Sequence, residues 1–219
     1  MKIVPTLLET TREGLLTKLA HNELREIAPH WQIDVLDGTY GGAVCFFDAE
    51  TVRDILGDRC PKIELDLMTT RPLDVLELWS QEKLPVIRAV LHVAALEESE
   101  LESHIQFIKE HHPTMEIGLA LTLDESAESI HHLIPDIQHI QQMGVPVGAS
   151  GQAFQAEIVL PKLESIHYDY PHLSLSVDGG ANAETIPAIA HAGATQACVN
   201  SGLWRSQDPL DTYRKLAAY

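Results

Sequence analysis

Eight short runs of β-branched or alternating residues are strung along this chain, at 3–6, 31–36, 62–68, 86–93, 116–122, 137–143, 173–178 and 196–200. Stretches with helical periodicity lie between them, among them 11–28, 73–81, 97–111, 154–166, 183–192 and 209–217. Strands that alternate with helices form parallel sheets, because each strand needs a crossover to return to the same end. Eight such units in 219 residues predict an α/β fold of the closed (β/α)8 TIM-barrel type, with one domain over residues 1–219. An open doubly wound sheet is the rival with the same alternation. The sixth run, DIQHIQQM (136–143), fits least well, since Gln138, His139, Gln141 and Gln142 crowd a strand that a barrel buries on both faces.

Period two sorts each strand into two faces. In the second strand Gln32 and Asp34 oppose Ile33 and Val35; in the third Glu64, Asp66 and Met68 oppose Ile63, Leu65 and Leu67. Arg88, Val90 and His92 share a face of the fourth, and Ser174, Ser176 and Asp178 oppose Leu173, Leu175 and Val177 in the seventh. The apolar set must meet the helices. The polar set is left to the lumen, rising toward the C-terminal rim where such barrels do their chemistry. Asp34, Asp66, His92 and Asp178 are therefore expected to converge. Three enclosed carboxylates repel one another and lose hydration, a state that protonation, hydrogen bonds or a bound cation must relieve. A metal site answers that need; helix caps and loop anchors at wet strand ends are the plainer account of any one of them. Glu64 and Arg88 lie deeper on adjacent strands and are expected to form a structural ion pair.

The net charge of −17 decides against polyanionic partners, whether nucleic acid or an anionic membrane surface. A single small phosphate is held by local backbone N–H groups instead. Three glycine-bearing turns after the late strands can supply them: Gly148-Ala149-Ser150-Gly151, Asp178-Gly179-Gly180 and Asn200-Ser201-Gly202. The loops after strands seven and eight are frequent phosphate sites in barrels. Three cysteines without CxxC spacing point to a reducing compartment, of which cytoplasm is the simplest. Pro5 and Glu9 interrupt the N-terminal stretch and no apolar run reaches membrane-spanning length, so neither a signal peptide nor a membrane span is expected. The pairs His111-His112 and His131-His132 read as surface groups, and Trp31 and Trp204 as packing.

Taken in order, IDVLDG (33–38), ELDLM (64–68), LHVAA (91–95), GASGQAF (148–154) and SVDGG (176–180) resemble motifs of the ribulose-phosphate 3-epimerase family. The likeness runs from KIVPT (2–6) to NSGLW (200–204). Members of that family interconvert ribulose 5-phosphate and xylulose 5-phosphate on a (β/α)8 barrel. Two histidines and two aspartates grip a divalent metal there, and the aspartates also serve as acid and base. The resemblance puts those aspartates at Asp34 and Asp178, and the histidines at Gln32 and Asp66, both replaced. It further implies substrate contacts at Thr6, Met68 and Met143, with Leu36 in place of a third methionine. Gly148, Gly151, Gly179, Gly180, Ser201 and Gly202 would grip the phosphate.

If Gln32 and Asp66 coordinate beside Asp34 and Asp178, the ligand set is all oxygen, which suits Mg²⁺ or Mn²⁺ better than Zn²⁺ or Fe²⁺. Without a metal, Asp34 and Asp178 would share a proton. Epimerisation beside a ketone needs a base on one face, an acid on the other and a positive group for the enediolate. Asp34 and Asp178 would fill the first two roles, and the metal or His92 the third. The expected partner is a small phosphorylated ketose, and the likeness implies a homo-oligomer. The replaced histidines leave two alternatives open: an epimerase of another ketose phosphate, and a sugar-phosphate-binding barrel without chemistry. Decarboxylases of the same barrel superfamily carry a DxK element in strand three, where this chain has Leu67 or Met68 at the lysine.

Overall fold

In the computed structural model, which describes residues 1–45, 47–148 and 151–219, the eight runs are eight parallel strands. They are β1 (Lys2–Leu7), β2 (Trp31–Leu36), β3 (Ile63–Met68), β4 (Val86–His92), β5 (Glu116–Leu121), β6 (His139–Met143), β7 (Ser174–Asp178) and β8 (Gln196–Val199). Each pairs with the next, and β8 pairs with β1, so the sheet closes on itself. Helices α1 (Arg12–Leu19), α2 (Asn22–Ile27), α3 (Ala49–Leu56), α4 (Pro72–Gln81), α5 (Glu98–His111), α6 (Ala156–Asp169), α7 (Ile186–His191), α8 (Ser201–Trp204) and α9 (Pro209–Leu216) fill the crossovers. None of the described helices is long and apolar enough to cross a membrane.

The single helix expected over 11–28 is two helices. Thr11 caps the first, accepting a hydrogen bond from the Gly14 N–H at 3.1 Å. Leu15, Leu19 and Leu24 are the buried positions. The five-residue step from Leu19 to Leu24 would turn a straight helix about 140° away from the core, so the chain breaks at Ala20 and His21 and restarts at Asn22. Between β2 and β3 lies α3, capped by the Asp48 carboxylate, which accepts from the Thr51 N–H at 2.8 Å. Between β5 and β6 the chain forms a 3-10 segment, Ala127–Asp136, with Pro135 near its end.

The two faces of the strands separate as period two demands. Ile33, Val35, Leu65, Leu67, Leu175 and Val177 join the layer between sheet and helices. Inside the barrel, polar groups stay buried by bonding one another. The Arg88 guanidinium pairs with Glu64 and reaches Glu116 at 2.9 Å. The crowded sixth strand is a strand because its polar groups find partners: His139 lies 2.7 Å from Ser174 Oγ and 2.9 Å from Ser176 Oγ. Gln142, on the helix side, donates to the backbone carbonyls of Leu121, Thr122 and Met143 at 3.1–3.3 Å. Where β1 meets β2, Trp204 of α8 packs on Trp31 with ring centroids 5.7 Å apart and donates to the Thr6 carbonyl at 2.7 Å.

Candidate active site

Strand register builds the centre of the site. Asp34 on β2 is paired directly with Asp66 on β3, and Asp178 ends β7. One carboxylate oxygen from each lies within 4.8 Å of the other two. All three are buried. The Gln32 amide nitrogen donates to Asp34 Oδ1 at 2.8 Å and to Asp178 Oδ2 at 3.2 Å, while its buried Oε1 has no partner. Asp66 is held from two sides, by His92 Nε2 at 2.7 Å and by Gln141 Nε2 at 3.0 Å.

The electrostatic result is an unbalanced pair. Burial, then the charges of Asp178 and Asp66, push the Asp34 carboxyl well above the ordinary carboxylate range. Burial, then Asp66, raise Asp178 as well. The cation felt by Asp34 is Lys18, whose ammonium sits 2.5 Å from Glu9 Oε1 and 3.1 Å from Asn200 Oδ1. Its effect opposes the rise only weakly.

Above the carboxylates opens a cavity whose wall includes Asp34, Asp178, Met68, Met143, Gly148, Gly151, Gly179, Gly180 and Ser201. Leu8, Leu36, Val145 and Val147 give it an apolar side. The glycine turns can sit this close because they lack Cβ atoms. Gly180 has φ +74°, and a Cβ there would fall 2.8 Å from Phe154. Ala149 and Ser150, in the first of the three turns, lie outside the described residues. Thr6, Gln32, Asp66, His92 and Gly202 are not among the described wall residues. Thr6, Gln32, Asp66 and His92 are buried in the lumen below, and Gly202 lets α8 approach the Ala181 carbonyl.

Sequence reasoning placed Asn200 in a phosphate turn but gave no site role to its side chain, nor to Gln141 or Cys198. Gln141 carries Asp66; the other two line the cavity. The available signal was period two, since Gln141 is in phase with Met143, and Cys198 and Asn200 are in phase with Gln196.

Comparison with known proteins matches this architecture. A Schizosaccharomyces pombe protein named ribulose-phosphate 3-epimerase is 33% identical over 109 residues, 49% of this chain and 47% of that one, so the matched stretch spans about half its length. The ribulose-phosphate 3-epimerase of Bacillus subtilis (strain 168) is 27% identical over 219 aligned positions, covering 95% of this chain and 94% of the relative. Among solved structures, 3-hexulose-6-phosphate synthase from Salmonella typhimurium superposes with a TM-score of 0.72 at 14% identity, covering 100% of this chain and 97% of that one, a likeness of fold alone. The profile described as the ribulose-phosphate 3 epimerase family matches residues 2–204. A match of that extent, together with a closed eight-stranded barrel, leads to one assignment: the chain belongs to the ribulose-phosphate 3-epimerase family.

Proposed function

We propose that this protein epimerises a small phosphorylated ketose, D-ribulose 5-phosphate and D-xylulose 5-phosphate in the first instance, by two-base proton transfer between Asp34 and Asp178. The observation that carries the reading is the approach of these two carboxyls, from β2 and β7, to a common point at the base of the cavity. One removes the proton from the carbon beside the ketone, leaving an enediolate, and the other delivers a proton to the opposite face. Their raised proton affinity suits that task, since a carboxyl of ordinary acidity holds no proton to give near neutral pH.

A hard divalent cation fits the residues present. Three carboxylate oxygens lie within 4.8 Å of one another, and Gln32 Oε1 is a buried acceptor without a donor. Exchanging the two ends of the Gln32 amide would turn that oxygen toward Asp34 and Asp178. Asp34, Asp66, Asp178 and Gln32 would hold the ion, with Mg²⁺ or Mn²⁺ favoured by an all-oxygen set. When bound, it supplies positive charge for the developing enediolate oxygen.

The second reading is a sugar-phosphate-binding barrel without turnover. It is favoured by the engagement of both Asp66 oxygens with His92 and Gln141, which competes with coordination. Incubation with ribulose 5-phosphate in D₂O, with EDTA or with added Mn²⁺, separates the two. Deuterium at C3 supports epimerisation, and its absence under every metal condition leaves binding alone.

A further inference from the structure

The wall of this cavity offers a phosphorylated sugar carboxylates and no side-chain cation among its described residues. None of the described wall residues is lysine, arginine or histidine. Three buried carboxylates stand at its base, in a chain of formal charge −17. Backbone N–H groups of the glycine turns offer only partial charges to a dianion. Two side-chain cations stand just outside the wall. Lys18 reaches Asn200, but Glu9 already neutralises it at 2.5 Å.

Arg205 differs. It directly follows α8, the helix that begins at the wall residue Ser201. Its guanidinium packs against Gly151, another wall residue: a Cβ at Gly151 would fall 3.0 Å from Nη1, 3.0 Å from Nη2 and 3.3 Å from Cζ. Arg205 is exposed, and its guanidinium enters no hydrogen bond or ion pair with the described residues, although the chain carries 32 aspartates and glutamates. A guanidinium without a partner among the described residues thus lies beside Gly151, a wall residue of the cavity's glycine-rich end.

We propose that Arg205 is the side-chain cation of the phosphate seat, binding the phosphate of the ketose and so selecting phosphorylated over unphosphorylated sugars. The inference rests on reading the glycine turns as that seat. A planar fork of N–H donors matches two phosphate oxygens at once, which an ammonium does not. Gly151, at φ +81°, lets the guanidinium lie close against the backbone of the turn, where a Cβ would crowd it.

Calorimetric titration with inorganic phosphate and steady-state kinetics with D-ribulose 5-phosphate test the assignment on wild type, Arg205→Gln and Arg205→Lys. Arg205→Gln is expected to weaken phosphate binding and raise KM by about ten- to a hundredfold, the scale of one lost charge-assisted hydrogen bond. Turnover at saturation and Tm should stay at wild-type values, with Arg205→Lys intermediate. Wild-type phosphate affinity and KM in Arg205→Gln overturn the role of Arg205. So does a change confined to Tm, which would mark Arg205 as structural. Absence of phosphate binding by the wild-type protein overturns the seat itself, a separate outcome read before any variant is made.

Discussion

Asp34 and Asp178 share one side-chain donor: the Gln32 amide nitrogen stands 2.8 Å from an oxygen of the first and 3.2 Å from an oxygen of the second. A single neutral donor cannot offset two full charges in a dry pocket, so the pair keeps protons that exposed carboxyls would lose. Asp34→Asn and Asp178→Asn preserve shape and remove the transferable proton. Each is expected to lower turnover by at least about 10²–10⁴-fold, with the circular dichroism spectrum unchanged. Deuterium incorporation at the wild-type rate by either variant would exclude two-base chemistry.

The same crowding sets the response of stability to pH. Unfolded, both carboxyls ionise near pH 4; folded, burial and repulsion keep them protonated to higher pH. The native state then holds protons that the unfolded chain has released, so stability falls as pH rises through the folded-state values. Protein in EDTA is expected to lose Tm between about pH 5 and pH 8, up to the point where Asp178, raised to about 8, releases its proton. Mn²⁺ should raise Tm more at the alkaline end, because coordination requires ionised ligands. A Tm in EDTA that climbs over that range refutes this account.

Gln141 is the support on which Asp66 rests. Gln141→Leu keeps bulk but leaves Asp66 Oδ2 without its donor, at an expected cost of about 1–3 kcal/mol in urea unfolding. Asp66→Asn in the same background should cost less than it does alone, and strictly additive effects would mean that the two side chains are energetically independent.

Deeper in the lumen, Arg88→Met leaves Glu64, which is 1% exposed, with only His30, at 3.6 Å, within ion-pair distance among the described residues. The expected loss is about 3–5 kcal/mol. Adding Glu64→Gln should recover most of it, since the uncompensated charge is then gone. KM for a phosphorylated ketose should not move, because Glu64 and Arg88 are not among the wall residues of the cavity.

Most of the strands and the convergence of Asp34, Asp66 and Asp178 were legible because period two is a property of the chain itself. What was not legible depended on partners far along the sequence. His139 and Gln141 looked misplaced in a buried strand until Ser174, Ser176 and Asp66 came beside them. The break between α1 and α2 was present in the spacing of Leu19 and Leu24, yet a run of helix-forming residues masked it. The 3-10 segment at Ala127–Asp136 gave no such signal, since buried positions at Ala127, Ile130, Leu133 and Ile134 also satisfy an α-helical stripe.

The interior of this barrel answers across strands: Asp66 to His92 and Gln141, His139 to Ser174 and Ser176, Glu64 to Arg88. An oily plug tolerates piecemeal drift in size, whereas here altering one staff of the barrel orphans a group on the next. Variation inside it is therefore correlated rather than free, and reprogramming of this centre proceeds by exchanges made two at a time.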